Sequence, residues 1–478
     1  MNRKLIKDIS ASSTQVILNQ FLGLFIFIIT SRYLDKAVYG ELNWSLAVLT
    51  FVTSILSLRL EQIVVRRVAA GEDASKLLTF FSGHIVFTGL AFYMVLLACS
   101  FIFPAFFKTH DLLLILAISH LLSSFSSPFK QLANGKEHFR LLAIMSSVAN
   151  LTRAIWLLCT VLFTSLTIET TLLIYIVSSL VELVVCFYLG KYRLKVPLST
   201  KHTLTGYFLL IKESLPLAGT VILNASIARI DWILLGLFTT AEKTAEYSFA
   251  YKVFELSPFP LLIIAPVLLS RLSGFFSVHN ESDLLKRTQP ISLLIRAEMI
   301  LATFIPLVIN LIWTPFIDKI TGNKYGAVNE STFFILSCCL PFLYMNNIFW
   351  SCHFAQNHLK IILRITFITF FIILTGDLVF IPFYAAKGAA LVYLLATIVE
   401  YINYMRSSGL SVIRETWFSP FVCLIIAVAC RFIAFYISES LHIRLLVAIP
   451  LFCLLLLATK QLRKSDWIYM LRIFRAKK

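Results

Sequence analysis

Residues 224–256, NASIARIDWILLGLFTTAEKTAEYSFAYKVFEL, decide how the rest of the chain is read. Two apolar runs meet at a short polar turn, and each carries an acid and a base within a few residues: Arg229 and Asp231 on one arm, Lys252 and Glu255 on the other. Followed to their apolar limits, 214–238 and 247–269, both arms reach the ~20 mostly apolar residues that a membrane-crossing helix needs. A charge in hydrocarbon costs at least ~2.5–3.5 kcal/mol, so such residues face a partner or a wet cavity. The hairpin therefore reads as transmembrane and as part of the lining of a transport cavity.

The composition agrees with that hairpin. Of 478 residues, 59% are hydrophobic and only 14% charged, against ~25% charged in a soluble domain; the mean hydropathy is +0.85. The expectation is an all-α integral membrane protein of about fourteen transmembrane helices, at 13–31, 42–58, 78–103, 112–128, 141–163, 170–190, 214–238, 247–269, 290–312, 332–351, 365–382, 388–405, 419–437 and 445–459. The basic N-terminus MNRKLIKDIS precedes an apolar run too long for a signal peptide, so that run is expected to stay as the first helix. A net charge of +17 would suggest nucleic acid in a soluble protein. Here it reflects the Lys and Arg that cytoplasmic loops of membrane proteins collect, and no nucleic-acid partner is expected. The nine cysteines lie in or beside apolar runs without CxxC or Cys/His spacing, so they read as small core residues, with no metal site implied.

With the N-terminus inside, segments facing the cytoplasm hold 29 Lys and Arg and outward loops hold 8, which sets both termini in the cytoplasm. The C-terminal tail, basic with interleaved aromatics, is expected on the anionic inner leaflet. An internal repeat is visible: LIYIVSSLVE (173–182) matches LVYLLATIVE (391–400), and QLANGKEHFRLL (131–142) resembles HFAQNHLKIILR (353–364). The resulting division is an N-terminal six-helix bundle over 1–190, a basic cytoplasmic linker over 191–213, a C-terminal six-helix bundle over 214–406, two additional transmembrane helices over 407–460 and a basic tail over 461–478. Parallel halves of this kind are a common transporter plan.

At ~100° per residue, Asn224 and Asp231 share a face of the seventh span while Arg229 points away. Tyr251, Lys252 and Glu255 cluster on the next span. Arg153 shares a face with Asn150 on the fifth span; it either pairs with Glu182 on the adjacent helix or offers a guanidinium fork to a phosphate. Glu400 repeats Glu182 in the other half, on a face with Tyr393, Thr397 and Tyr404. Gln15 and Asn19 read as helix-bridging amides. These embedded groups are either ion-pair networks that hold helices together or cavity ligands. On the second reading Arg153, Asn150, Arg229, Asn224, Lys252 and Tyr251 bind substrate, and Asp231, Glu255, Glu182 and Glu400 couple ions or gate. Arg59, Arg66, Arg67 and Arg140 lie at the cytoplasmic mouth, either as positive-inside residues alone or to recruit an anionic head group. No GxSxG, HExxH, Walker A or GxGxxG pattern occurs, so no cofactor and no catalytic residue is expected, and ATP hydrolysis by this chain does not drive transport.

Four stretches resemble bacterial polysaccharide (O-antigen) flippases: SRYLDKAVYGELNWSLAV (31–48), LRLEQIVVRRVA (58–69), DWILLGLFTTAEKTAEYSFAYKVFEL (231–256) and VFIPFYAAKGAALVYLLATIVEY (379–401). Asp377 departs from the pattern, standing where an uncharged polar residue is usual. Such proteins belong to the multidrug, oligosaccharidyl-lipid and polysaccharide exporter superfamily. The resemblance implies two six-helix bundles around a central cavity and alternating access, with ion coupling. It also implies movement of an undecaprenyl-diphosphate-linked oligosaccharide from the inner to the outer leaflet of the bacterial inner membrane. Membrane lipids, a polysaccharide polymerase and a chain-length regulator are the further partners it suggests. Rival readings are a flippase of lipid II or a teichoic precursor, a multidrug/cation antiporter of the same superfamily, and a glycan ligase or polymerase. The intramembrane bases speak against the antiporter, and the short outward loops against the ligase or polymerase.

Overall fold

A computed structural model describes residues 3–198, 204–261, 281–407 and 416–463. These residues form helices joined by short turns, with no strand among them. In a bilayer each span must satisfy its own backbone groups, and helices do so internally. Large apolar side chains such as Phe101, Phe163, Phe383 and Tyr436 stand exposed; the first two lie at the C-terminal ends of their helices, and aromatic groups collect at the surfaces of a membrane.

Among the described residues, eleven helices are long and apolar enough to cross a membrane, or twelve if one bent pair counts as a span. The count of fourteen is thus not confirmed. Part of the difference is geometric. The expected eleventh and twelfth spans lie in one helical stretch, Leu359–Ser407, that is interrupted at Ala385 (φ 45°, ψ −128°). A Cβ on Gly376 would lie 2.6 Å from Val392 Cγ1, yet a straight helix would separate those residues by ~24 Å. The chain therefore doubles back at Ala385 and crosses twice. The eighth expected span, 247–269, lies partly outside the described residues, as do part of the linker and all of the tail from residue 464.

The chain divides into two compact units, Met1–Ala245 and Glu246–Lys478. The first holds α1 (Arg3–Tyr33), α2 (Lys36–Leu56), α3 (Leu60–Ala69), α4 (Ala74–Ile102), α5 (Pro104–Thr109), α6 (Leu112–Gly135), α7 (Phe139–Phe163), α8 (Ile168–Leu189) and α9 (Leu204–Phe238). The boundary falls inside α10 (Ala241–Phe254). Leu60, Ile63, Val64 and Val68 form the buried stripe of α3, at helical spacing. They pack with Leu77, Leu78 and Phe81 of α4 and Leu132 of α6. Gly236 lets α9 approach α2, because a Cβ there would collide with the Trp44 indole; Trp44 Nε1 in turn donates to Ile233 O at 3.1 Å. Small residues at such crossings are the usual route to close packing in membranes.

The second unit contains α11 (Glu281–Thr321), α12 (Gly326–Ser337), α13 (Leu340–Ala355), α14 (Leu359–Ser407), α15 (Ser419–Ile437) and α16 (Leu441–Ala458). Asp318 accepts from the amides of Gly326 and Ala327 at 2.7 and 3.2 Å and so starts α12. The two repeated loops share a backbone pattern. Glu137 and Asn357 are both left-handed (φ 58° and 59°). His138 N and His358 N each reach back five residues, to Ala133 O and His353 O, at 2.8 Å. One local rule thus closes the fourth-to-fifth and tenth-to-eleventh turns.

Candidate functional site

Between α2 and α3 the chain takes two consecutive left-handed residues without glycine, Leu58 (φ 48°) and Arg59 (φ 63°), and the two helices meet at 51°. Such conformations cost ~1–3 kcal/mol each and persist only where surroundings enforce them. His84 of α4 does so here: Nε2 engages Leu56 O and Nδ1 engages Tyr207 Oη of α9, both at 2.8 Å. The break opens a cavity of about 690 Å³ within the first unit, in the range of small-molecule sites, ~300–1,000 Å³.

Polar side chains reach into the cavity from two directions, between apolar ones such as Leu56, Val65, Ile85 and Leu121. Thr53, Ser54, Ser57, Arg59, Glu61 and Arg66 line it from the broken span, and Ser124, Ser127, Gln131 and Asn134 from α6. With His120, the α6 residues recur at spacings of four and three, one face of a helix. His120 Nε2 lies 2.9 Å from Thr53 Oγ1. Hydroxyls and amides supply donors and acceptors for a hydroxyl-rich ligand, and the two guanidiniums supply the fork that matches phosphate oxygens. The expected mouth residues separate here. Arg59 and Arg66 line the cavity; Arg66 also pairs with Glu213. Arg67 is committed to Glu213 and Glu72, and Arg140 is exposed.

Arg153 sits behind this wall. Its guanidinium lies 4.0 Å over the Tyr175 ring and within electrostatic reach of His120, while its buried Nε has no hydrogen-bond partner among the described residues. It does not pair with Glu182. That carboxylate, 3% exposed, is held instead by Lys130 and by Ser123 Oγ at 2.8 Å, both from α6. Asn150 Nδ2 donates to Asn19 Oδ1 of α1 at 3.1 Å, a bridge between helices. On α9, Asn224 is exposed. Arg229 donates to Ala228 O at 3.0 Å and lies 5.0 Å over Trp232, and Asp231 is buried and accepts from Trp232 N at 2.8 Å.

In the second unit, Lys252 and Glu255 pair with each other at 2.9 Å. Tyr251 packs edge-on against Phe254 and Tyr393. Glu400 Oε2 accepts from Asn346 Nδ2 at 3.1 Å. Reading charges alone missed the α6 stripe. Its signal was the heptad-like recurrence of Ser, Gln and Asn in SHLLSSFSSPFKQLAN (119–134).

A family model described as polysaccharide biosynthesis protein matches residues 5–275. A search of curated protein sequences found no match. Among solved structures, the chain is similar to lipid II flippase MurJ in an inward closed conformation, with TM-score 0.71, 13% identity and coverage of 93% of this chain and 97% of that one. It is also similar to an inward-facing multidrug resistance MATE family transporter of the MOP superfamily, with TM-score 0.64, 12% identity and coverage of 83% and 98%. The Vibrio cholerae MATE transporter VcmN gives TM-score 0.53 at 13% identity, with coverage of 86% and 98%. At such identities the likeness is one of fold.

Proposed function

The chain belongs to the polysaccharide biosynthesis protein family, and from this premise we propose that it flips an undecaprenyl-diphosphate-linked oligosaccharide. The cargo, an O-antigen, capsule or exopolysaccharide repeat unit, moves from the inner to the outer leaflet of the bacterial inner membrane. Both termini lie in the cytoplasm, and two six-helix bundles alternate access to a central cavity, coupled to an ion. The observation that carries the reading is the 690 Å³ cavity opened by the α2–α3 break, into which Arg59 and Arg66 reach among serines, glutamines and Asn134. An apolar tail can stay in lipid during transfer, but a diphosphate and its sugars need cations and hydrogen-bonding groups along the way.

In this scheme Arg59 and Arg66 receive the diphosphate at the cytoplasmic side. Arg153, Asn150, Arg229, Asn224, Lys252 and Tyr251 line the route, and Asp231, Glu255 and Glu400 supply ion coupling or gating, with Glu182 held by Lys130. Release requires an affinity that differs between two conformations, since a ligand bound equally by both shifts nothing. The strained Leu58–Arg59 break is a natural hinge for that difference. Several embedded bases suit an anionic cargo better than the cationic cargo of a drug antiporter.

A leaflet-resolved flipping assay with lipid-linked oligosaccharide from the native host, and with lipid II as a second cargo, tests the reading. The protein is expected to accelerate transfer of the former. Arg153→Ala and Asp231→Ala are each expected to abolish surface polysaccharide at normal protein abundance. Full export by both variants would remove these residues from the route, and preference for lipid II would reassign the cargo.

A further inference from the structure

The internal repeat places two glutamates in equivalent positions, and the structure treats them differently. Each receives a polar side chain from the fourth helix of its half: Glu182 from Ser123 of α6 at 2.8 Å, Glu400 from Asn346 of α13 at 3.1 Å. Glu182 also has a cation, Lys130. Glu400 has no ion pair among the described residues, and Asn346, which also donates to Thr397 O at 3.2 Å, brings only a neutral amide. The same symmetry position is neutralised in one unit and left without a counter-charge in the other.

A second acid lies across α13 from it. Glu298 of α11 sits within the apolar run Ser292–Thr321. It is 0% exposed, and neither carboxyl oxygen has a hydrogen-bond partner among the described residues. Tyr344 of α13 is within its electrostatic reach and donates its hydroxyl to Ser257 O at 3.2 Å. On α11 itself the buried cation Arg296 lies two residues from Glu298, about 200° around the helix, and the charged groups on helices packed against α11 are engaged elsewhere. Glu330 of α12 pairs with Arg431 of α15 at 2.8 Å, and Arg444 of α16 donates to Ser438 O at 2.8 Å. An unpaired carboxylate buried in a low-dielectric interior is costly; a proton removes that cost.

A line of titratable side chains leads to Glu400 from one end of the unit. His358, exposed in the α13–α14 turn, has its ring 5.9 Å from that of His353. His353 is 1% exposed, both its ring nitrogens lack hydrogen-bond partners among the described residues, and it stacks on Tyr404 at 5.7 Å. Tyr404 is one helical turn beyond Glu400 and within its electrostatic reach. We propose that Glu400 and Glu298 carry the coupling proton of the transport cycle, loaded and unloaded through His353 and His358 at the cytoplasmic end of the second unit. The reading rests on the transport function above and names its coupling ion. It also separates the roles of the repeated glutamates: Glu182 fastens helices and Glu400 moves a proton.

Two measurements test it. The full-length protein in liposomes is given lipid-linked oligosaccharide from the native host, and flipping is followed with no gradient, with a sodium gradient and with a gradient of one pH unit. One coupled proton permits up to about tenfold bias per pH unit. Acceleration by the pH gradient alone is expected, and the ratio of rates with and without the gradient should fall to one in Glu400→Gln and Glu298→Gln. A wild-type rate indifferent to the pH gradient, or variants that keep the full ratio, overturns the proton assignment and leaves the flippase intact. No flipping under any condition overturns both. Independently of transport, infrared pH-difference spectra of the purified protein should contain a protonated-carboxyl band that loses intensity in each Glu→Gln variant. A band unchanged by both substitutions overturns the proposal. Melting of the variants identifies any that fail to fold, and Glu298→Asp then replaces Glu298→Gln and should retain the band.

Discussion

Lys130 and Glu182 illustrate what a single pairing contributes inside this protein. Both are largely buried, the carboxylate more so, and breaking a buried pair from one side costs ~3–5 kcal/mol because it leaves a lone charge. Lys130→Met is therefore expected to lower the melting temperature in detergent strongly. The double variant Lys130→Met/Glu182→Gln should recover most of that loss, because no charge is stranded. Equal melting of single and double variants would show that the pair carries no such weight. Arg153 is a different case. Its stacking on Tyr175 at 4.0 Å contributes ~1–2 kcal/mol when desolvated, so Tyr175→Phe should be tolerated and Tyr175→Leu should destabilise by about that amount in the same measurement.

At the scale of elements, the decisive features are where helices break and how closely they cross. Ala385 adopts φ 45°, ψ −128° to reverse α14, a conformation that glycine reaches without penalty. Ala385→Gly should raise stability by ~0.5–1 kcal/mol, and Ala385→Val should lower it, by thermal melting. Gly236 faces the Trp44 indole with no room for a Cβ. Gly236→Leu is expected to prevent accumulation of folded protein, seen as loss of the monodisperse peak in size-exclusion chromatography. Normal recovery would mean that α2 and α9 tolerate separation.

For the whole molecule, the asymmetry of 29 inward against 8 outward Lys and Arg fixes the expected orientation. An alkaline phosphatase reporter fused after Thr240 should be active, since the enzyme requires an oxidising exterior, and one fused after Lys195 inactive. The reverse pattern would invert the protein and move His353 and His358 to the outside.

What the sequence determined by itself was the helical membrane class, the repeat and the family resemblance. These follow from hydropathy and short-range pattern, which each residue carries with it. The likeness of the two loops around Glu137 and Asn357 was legible for the same reason, as two similar local stretches, but their shared left-handed conformation was not. The cavity was half legible: the α6 stripe has a helical period, but its serines did not stand out beside the charges. Only the tertiary structure decided that Glu182 answers to Lys130 instead of Arg153, that Arg153 stacks on Tyr175, that α14 reverses at Ala385, and that Glu298 stands buried with no hydrogen-bond partner among the described residues. Each of these depends on how neighbouring helices are rotated and how closely they approach, and that is set jointly by many side chains at once.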